Sequence, residues 1–137
     1  MFTTLNNSIG YGWKRTDGRI GLRNHVIAFS TVALTDRVTA LAAAQVSGVL
    51  PIVPAFQRGL RGTDAALQKA MINAIITHPN VGAALVVTHD RASADEISAF
   101  CVELDKPIIV VPFMAYSGMQ SAQSIMITHL QFLLSRI

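Results

Sequence analysis

The residues best suited to proton transfer in this chain are His89 and Asp90, which directly follow an apolar run. An imidazole titrates near neutral pH, so a histidine at the end of a strand can exchange a proton with a bound substrate. We therefore predict that His89 and Asp90 are the candidate catalytic residues. The alternative is a surface histidine with no role in catalysis. His25 and His129 have no partner at a recognisable metal-ligand spacing.

Three arginines follow apolar runs in the same way, Arg58 and Arg61 after one run and Arg91 after another. A guanidinium group binds a carboxylate or a phosphate, with two parallel hydrogen bonds in the best geometry. The pattern predicts a site for a small anionic ligand, and ordinary solvated arginines are the alternative. With polar residues of the neighbouring loops included, the candidate ligand-binding residues are Ser30, Thr31, Arg58, Arg61, Arg91 and Tyr116.

A further concentration of charge lies between Tyr11 and Asn24, directly before the apolar run at 25–29. Gly18 and Gly21 break any helix there, so the arginines of this segment and Asp17 must be displayed on irregular backbone. The chain as a whole is poor in charge, with 14% charged and 51% apolar residues. A loop that collects charge in such a chain predicts a specific role for that loop.

Four short apolar runs predict the strands that position these residues. Runs without polar interruption are typical of strands covered on both faces, and hence of a parallel sheet. The segments between them have helical patterns, including a capping-box spacing from Ser93 to Glu96 and an apolar stripe that places Cys101 in the core. The predicted strands are 25–29, 49–53, 84–87 and 108–111, and the predicted helices are 32–45, 64–77, 93 to the turn at 106, and 121–137.

The order of these elements predicts an α/β fold. We expect a single three-layer doubly wound domain with a four-stranded, mainly parallel sheet in the order 2-1-3-4. At 137 residues the chain fits one domain, with 1–24 as an N-terminal arm and Arg/Gly loop and 25–137 as the core. Ligands of such sheets gather beyond the carboxyl ends of the strands, which is where the loops with Arg58, His89 and Tyr116 are predicted.

Composition excludes several classes of protein. The longest uncharged run, 114–135, contains too many polar residues for a transmembrane span, and we expect no signal peptide. The net charge of +3 is not accompanied by a nucleic-acid-binding motif. A single cysteine forbids an internal disulfide. We therefore expect a cytoplasmic protein that binds neither membrane nor nucleic acid.

The last predicted helix has a wider apolar arc than one buried face needs. Two interpretations remain open. Part of the arc meets another subunit, so that the chain is a homo-oligomer or joins a larger lyase subunit through this helix, or the helix closes the core and is deeply buried.

The run Arg15-Thr16-Asp17-Gly18-Arg19-Ile20-Gly21-Leu22-Arg23-Asn24, followed by Ser30-Thr31-Val32 and the later run 78–87, resembles the altronate and galactarate dehydratase family. It is also similar to sulfolactate sulfo-lyase large subunits. The resemblance covers about the first two thirds of the chain and implies the first α/β domain of longer hydro-lyases. Members of that family remove water from sugar acids with a divalent or iron-type metal.

The resemblance implies that Arg15, Arg19, Arg23 and Asn24 bind the carboxylate of a sugar acid, a role that suits guanidinium groups. The alternative is that this loop clamps the domain edge, with Asp17 pairing one arginine.

The chain departs from the family pattern at three strand ends. Leu34 stands where the family has a cysteine, the loop 56–61 replaces a His-Gly-Ser-Gly-Cys-Gly-like element, and a Gly-Cys-Glu element is replaced near Asp90. Leucine and arginine cannot replace thiolate ligands, so we expect neither a metal nor a cofactor.

Two hypotheses about function follow. The first is a lyase-family protein, either a small subunit beside a larger catalytic partner or a rewired carbon–oxygen lyase that uses His89 and Asp90. The second is a non-catalytic domain that binds a small anion or serves assembly. The second describes the residues better, because the chain has little with which to stabilise a developing enediolate.

Overall fold

The fold is built around a parallel sheet of four strands. A computed structural model describes residues 2–4 and 11–137 of the chain. Its strands are β1 (Phe2–Thr4), β2 (Tyr11–Lys14), β3 (Ile20–Gly21), β4 (His25–Ser30), β5 (Val49–Ile52), β6 (Val81–Thr88) and β7 (Ile108–Pro112). The large sheet has the order β5-β4-β6-β7, with every neighbouring pair parallel, which confirms the predicted order 2-1-3-4.

Burial along the sheet explains why its strands are so apolar. Every residue of β6 is buried, and so are five of the six residues of β4, because helices cover both faces of these central strands. The edge strand β5 is only partly covered and contains Pro51, which an edge position tolerates because one side of the strand needs no hydrogen-bond donor.

Two helices cover each face of the sheet. The helices are α1 (Asp36–Ala44), α2 (Gly62–Ile76), α3 (Arg91–Cys101) and α4 (Met119–Leu134), with short 3₁₀ turns at Ala33–Thr35 and Phe113–Ala115. One core cluster joins α1 and α4 to the sheet, and a second joins α2 and α3 to the opposite face. The structure thus has the predicted three-layer α/β architecture.

All four helix starts differ from the predicted ones; α1 begins at Asp36 rather than at Val32, and α4 begins at Met119 rather than at Ser121. We expected α3 to begin at Ser93, but it begins at Arg91, because Asp90 is the N-cap and its Oδ1 accepts a hydrogen bond from the Ser93 N–H at 2.8 Å. The helix α2 begins at Gly62 rather than at Asp64. Cys101 is half-buried and packs against the second core cluster, as its stripe predicted.

The charged segment at the N-terminus is more regular than expected. The strands β1, β2 and β3 form a small antiparallel sheet, and β2 and β3 are two arms of a hairpin whose turn spans 15–19. The Arg15 N–H donates to the Arg19 carbonyl at 2.8 Å and closes this turn, and Gly18 adopts a φ of +87°. Irregular backbone is therefore confined to the turn and to residues 22–24.

Within the described residues, the structure contains no helix with the length and apolar character needed to cross a membrane.

Candidate functional site

A cavity of about 450 Å³ opens at the carboxyl edge of the sheet, between α2 and α3. The loop after β4 contributes Thr31 to it, the loop after β5 contributes Arg58, and the loop after β6 contributes His89. The facing sides of the two helices supply both polar and apolar groups: Gln68, Lys69, Ile72, Ser93, Glu96 and Phe100. Its volume is in the range of small-molecule sites in proteins.

Arg58 is an accessible cation of this cavity. Its side chain is 59% exposed, and its Nη2 lies 3.4 Å from Oδ2 of Asp90. An exposed ion pair at that distance contributes little to the stability of the fold. A ligand carboxylate can therefore replace Asp90 as the partner of Arg58 at little cost in free energy. The geometry therefore leaves Arg58 available to bind an anion.

Asp90 serves mainly as a helix cap. Hydrogen bonds from Ser93 hold the pKa of the Asp90 carboxyl below its usual range, with smaller contributions from the positive charge of Arg58 and from His89. Its Oδ1 accepts a hydrogen bond from the Ser93 N–H and its Oδ2 accepts one from Arg58, so the carboxylate stays ionised and both of its oxygens have partners.

His89 lies at the wall of the cavity with an unused polar atom. Its side chain is 19% exposed, and its Nδ1 is buried with no hydrogen-bond partner among the described residues. The nearest carboxylate oxygen, Oδ2 of Asp90, is 3.8 Å away, which is too far for a hydrogen bond. The two candidate catalytic residues are therefore neighbours that are not hydrogen-bonded to each other.

The other predicted loop residues occupy different surroundings. Ser30 is fully buried and shares hydrogen bonds with Val32 and Thr35 at the start of α1, whereas Thr31 lines the cavity and donates to the Val87 carbonyl. Arg61 is the exposed N-cap of α2, and Arg91 is the exposed first residue of α3. Tyr116 packs against the core cluster on the other face of the sheet. Thus Thr31, Arg58 and His89 line the cavity, with Asp90 beside them.

The arginine-rich loop, residues 15–24, lies at the opposite edge of the sheet. Arg15 Nε donates to the Pro79 carbonyl at 2.7 Å and its Nη2 to Oδ1 of Asn24 at 2.9 Å, while Arg19 Nη2 donates to the Thr77 carbonyl at 2.6 Å. Residues 77–80 precede β6, whose eight residues span roughly 25 Å at about 3.3 Å each. The loop is therefore far from His89 and Arg58.

This loop, the turn at 77–80 and Lys106 form a unit that we call the clasp. Asp17 pairs with Arg19 at 2.7 Å, and the Arg19 hydrogen bonds hold the pKa of the Asp17 carboxyl below its usual range. Oδ1 of Asn80 accepts from the N–H groups of Leu22 and Arg23. These contacts match the alternative to carboxylate binding, in which the loop clamps the domain edge.

The clasp also borders a second cavity of about 430 Å³, between the turn at Arg15–Arg19 and the segment 103–106. Lys106 Nζ reaches across to three main-chain oxygens, those of Ile76, His78 and Val81. Burial, followed by the positive charges of Arg15 and Arg19, lowers the pKa of Lys106 to about 8. The cationic side chains that line this second cavity already bind main-chain oxygens and a carboxylate. This cavity is therefore a poorer site for an anion than the first.

The side chains at the strand ends do not fit the metal that the family resemblance implies. Leu34 is 61% exposed and offers no donor atom, and the described residues contain no group of three or more His, Cys, Asp or Glu side chains placed to hold an ion. Cys101 lies on α3, and burial raises the pKa of its thiol, which disfavours a thiolate ligand. We therefore derive no step through a metal.

Several cavity residues were missed because they belong to helix faces. On α2, the positions 65, 68, 69, 72 and 73 line the cavity, and on α3 the positions 93, 96, 97 and 100 do so. Both sets have helical i, i+3, i+4 spacing, but each mixes polar with apolar residues. A mixed stripe on the two helices that cover one face of the sheet was the signal that could have identified them.

A comparison with protein families places these observations in context. The family model described as D-galactarate dehydratase/altronate hydrolase, second domain, matches residues 12–136. Comparisons with curated proteins and with solved structures gave no match. The match extends well beyond the first two thirds of the chain, and its description specifies the second domain where we had expected the first α/β domain. The chain therefore belongs to the D-galactarate dehydratase/altronate hydrolase family, as its second domain.

Proposed function

We propose that this domain binds a small sugar-acid carboxylate in the cavity at the carboxyl edge of the sheet. The observation behind the proposal is that Arg58 and His89 line the same cavity of about 450 Å³, and that Nδ1 of His89 has no hydrogen-bond partner among the described residues. A guanidinium supplies charge and geometry for a carboxylate, and an imidazole nitrogen supplies a hydrogen bond to a neighbouring hydroxyl. An acid with hydroxyl groups beside its carboxylate satisfies both.

The electrostatics of the cavity favour a ligand with one accessible carboxylate. Lys69 and Glu96 pair with each other across the cavity wall, so their charges largely cancel. Asp90 is held by Ser93 and remains in place when a ligand takes over Arg58. Ile72, Ile97 and Phe100 add apolar surface, against which the carbon chain of the ligand packs.

The family description supplies the probes for a test. Galactarate and altronate are titrated into the purified protein by calorimetry, and the same titrations are made with Arg58→Ala and Arg61→Ala. Arg58→Ala is expected to weaken binding about tenfold through loss of a charge-assisted hydrogen bond. Arg61 is an exposed arginine three positions further along and does not line the cavity, so Arg61→Ala is the matched control. Equal affinities for the two variants, or no binding by the wild type, contradict the proposal.

In an alternative role, this domain works as a subunit or domain beside a larger catalytic partner of a sugar-acid or sulfolactate-type lyase. The description of the matched unit as a second domain favours this candidate. In a carbon–oxygen lyase of this kind, His89 is the cavity residue suited to hold a proton, since Asp90 is engaged by Ser93 and Arg58. Co-purification with the remaining dehydratase domains, together with activity only in the mixture, would support this role.

Self-assembly through α4 is a further candidate. Most of the apolar arc of this helix is used inside the domain, where Met126, Leu130 and Leu133 are fully buried. Phe132 remains 53% exposed and Ile137 48% exposed. A homo-oligomer that covers Phe132 would be detected by sedimentation velocity, and Phe132→Glu would dissociate it. A wild type that sediments as a monomer at all concentrations excludes this candidate.

A further inference from the structure

The backbone that presents Arg58 is fixed immediately before this residue. The Ala55 N–H donates to Oδ2 of Asp36 at 3.0 Å, and the Phe56 carbonyl accepts from the Ala33 N–H at 2.7 Å. Ala55 itself has a φ of +56°, a conformation that a non-glycine residue keeps only where its surroundings impose it. The loop is therefore held at two successive residues on the side of β4 and α1.

The third attachment comes from α2 and is made by Gln68. The Gln57 N–H donates to Oε1 of Gln68 at 3.0 Å, and Nε2 of Gln68 donates to the Gln57 carbonyl at 2.8 Å. One side chain thus satisfies both main-chain polar groups of the residue directly before Arg58. Neither Asp36 nor the Ala33 N–H can do this, because each holds a single group of the loop.

We propose that Gln68 is a positioning residue that holds Arg58 over the cavity for an incoming carboxylate. The proposal rests on the proposed function, since it concerns the same site. A long arginine side chain loses conformational freedom when it binds a ligand, and a mobile loop would add a further loss. With its backbone fixed by Gln68, Arg58 has less freedom to lose on binding.

A double-mutant cycle tests this role. Gln68→Met keeps the length of the side chain and removes both hydrogen bonds. Gln131→Met, at an exposed glutamine of α4, is the matched control. We expect Gln68→Met to weaken galactarate binding about fivefold and Gln131→Met to leave it unchanged. We also expect Arg58→Ala, which weakens wild-type binding about tenfold, to weaken Gln68→Met binding only about twofold.

The specificity of the coupling separates positioning from a general loss of structure. His89 lines the same cavity but has no contact with the Gln57–Gln68 pair among the described hydrogen bonds, so His89→Ala should weaken binding by the same factor in both backgrounds. Hydrogen exchange of the Gln57 amide should become faster in Gln68→Met, a change that needs no ligand to observe.

The outcomes distinguish the two proposals. If Arg58→Ala weakens binding by the same factor with and without Gln68, the positioning role is wrong and the binding function stands. If His89→Ala couples to Gln68 as strongly as Arg58→Ala does, Gln68 maintains the whole cavity and the specific role is overturned. If the wild type binds neither sugar acid, both proposals fail.

Discussion

At the scale of residues, the division of work between His89 and Asp90 decides what the cavity can do. The sequence places them side by side, which suggests an acid–base pair. In the structure Asp90 turns to the N-terminus of α3 and to Arg58, which leaves Nδ1 of His89 buried and without a hydrogen-bond partner in the part of the chain that the structure describes. A buried polar atom without a partner carries a desolvation cost that a ligand can relieve.

Gly21 is a residue whose small size is required by a close approach of two chain segments. A Cβ at this position would collide with the carbonyl oxygen of Pro79 in the clasp. We expect Gly21→Ala to lower the free energy of unfolding by about 3 kcal/mol, because main-chain atoms on both sides cannot yield easily. Gly18 has open space around it and a φ of +87°, so Gly18→Ala should cost only about 1 kcal/mol of backbone strain. Urea denaturation of both variants measures the difference, and equal losses would contradict the close approach.

Lys106 gives the molecule a predictable pH dependence. Burial and the nearby arginines lower its pKa to about 8, from the ordinary lysine value of 10.5. Between these values the unfolded chain holds the proton more often than the folded one, so stability rises with pH in this interval. Below it the unfavourable contribution of the charged Lys106 is fully present and does not change with pH. The raised pKa of Cys101 acts with the opposite sign, so the comparison needs a variant.

The variant Lys106→Met isolates this contribution. The free energy of unfolding, measured at pH 7, 8, 9 and 10, should rise with pH in the wild type relative to Lys106→Met. Parallel curves for the two proteins would mean that the environment of Lys106 does not favour its neutral form.

At the scale of elements, the clasp gives the arginines of the N-terminal motif a role in stabilising the fold. Arg15, Arg19 and Asn80 tie the N-terminal hairpin to the turn before β6, at the amino edge of the sheet. The hydrogen bonds of the motif thus hold two segments together far from the cavity, and its predicted role in ligand binding stays a prediction.

The clasp predicts different effects for two arginines of one motif. Arg15→Ala should lower the free energy of unfolding by about 1–2 kcal/mol, because the carbonyl of Pro79 and Oδ1 of Asn24 lose a charged donor. Arg23 is exposed, and among the described residues its side chain hydrogen-bonds only to the carbonyl of the adjacent Leu22, so Arg23→Ala should change stability by less than about 0.5 kcal/mol. Thermal denaturation tests both. A larger effect of Arg23→Ala would argue against the clasp.

The elements were predictable where burial alone determines them. Strands β4, β5 and β7 lie within one residue of their predicted bounds, because short uninterrupted apolar runs are typical of strands in a parallel sheet that is covered on both faces. The strand β6 begins three residues earlier than predicted, at Val81, because Gly82 faces Asn24 rather than breaking the strand. The start of α3 was missed because Asp90 and Ser93 are both good caps, and the end of β6 selects the first.

At the scale of the whole molecule, parallel topology accounts for the part of the site that could be predicted. It placed Thr31, Arg58 and His89 at one edge because the strands that precede them are neighbours in the sheet. It could not distinguish Arg58 from Arg61 or Arg91, since that depends on how the loop after β5 is anchored. The faces of α2 and α3 were missed because their stripes mix cavity-lining with core positions.

The two edges of the sheet differ in the roles that we propose for them. The proposed binding site lies at the carboxyl edge, between α2 and α3, and the hydrogen bonds of the clasp lie at the amino edge. These assignments differ from one in which the arginine-rich motif holds the ligand, and the two edges are far enough apart for spectroscopy to resolve.

The most direct test is a titration of the ¹⁵N-labelled protein with galactarate, followed by amide chemical shifts. We expect the largest shifts on Thr31, Gln57, Arg58 and His89, and we expect the amides of the clasp, including those of residues 15–24, to stay unchanged. Shifts concentrated on the clasp, or no shifts at either edge, would contradict this expectation.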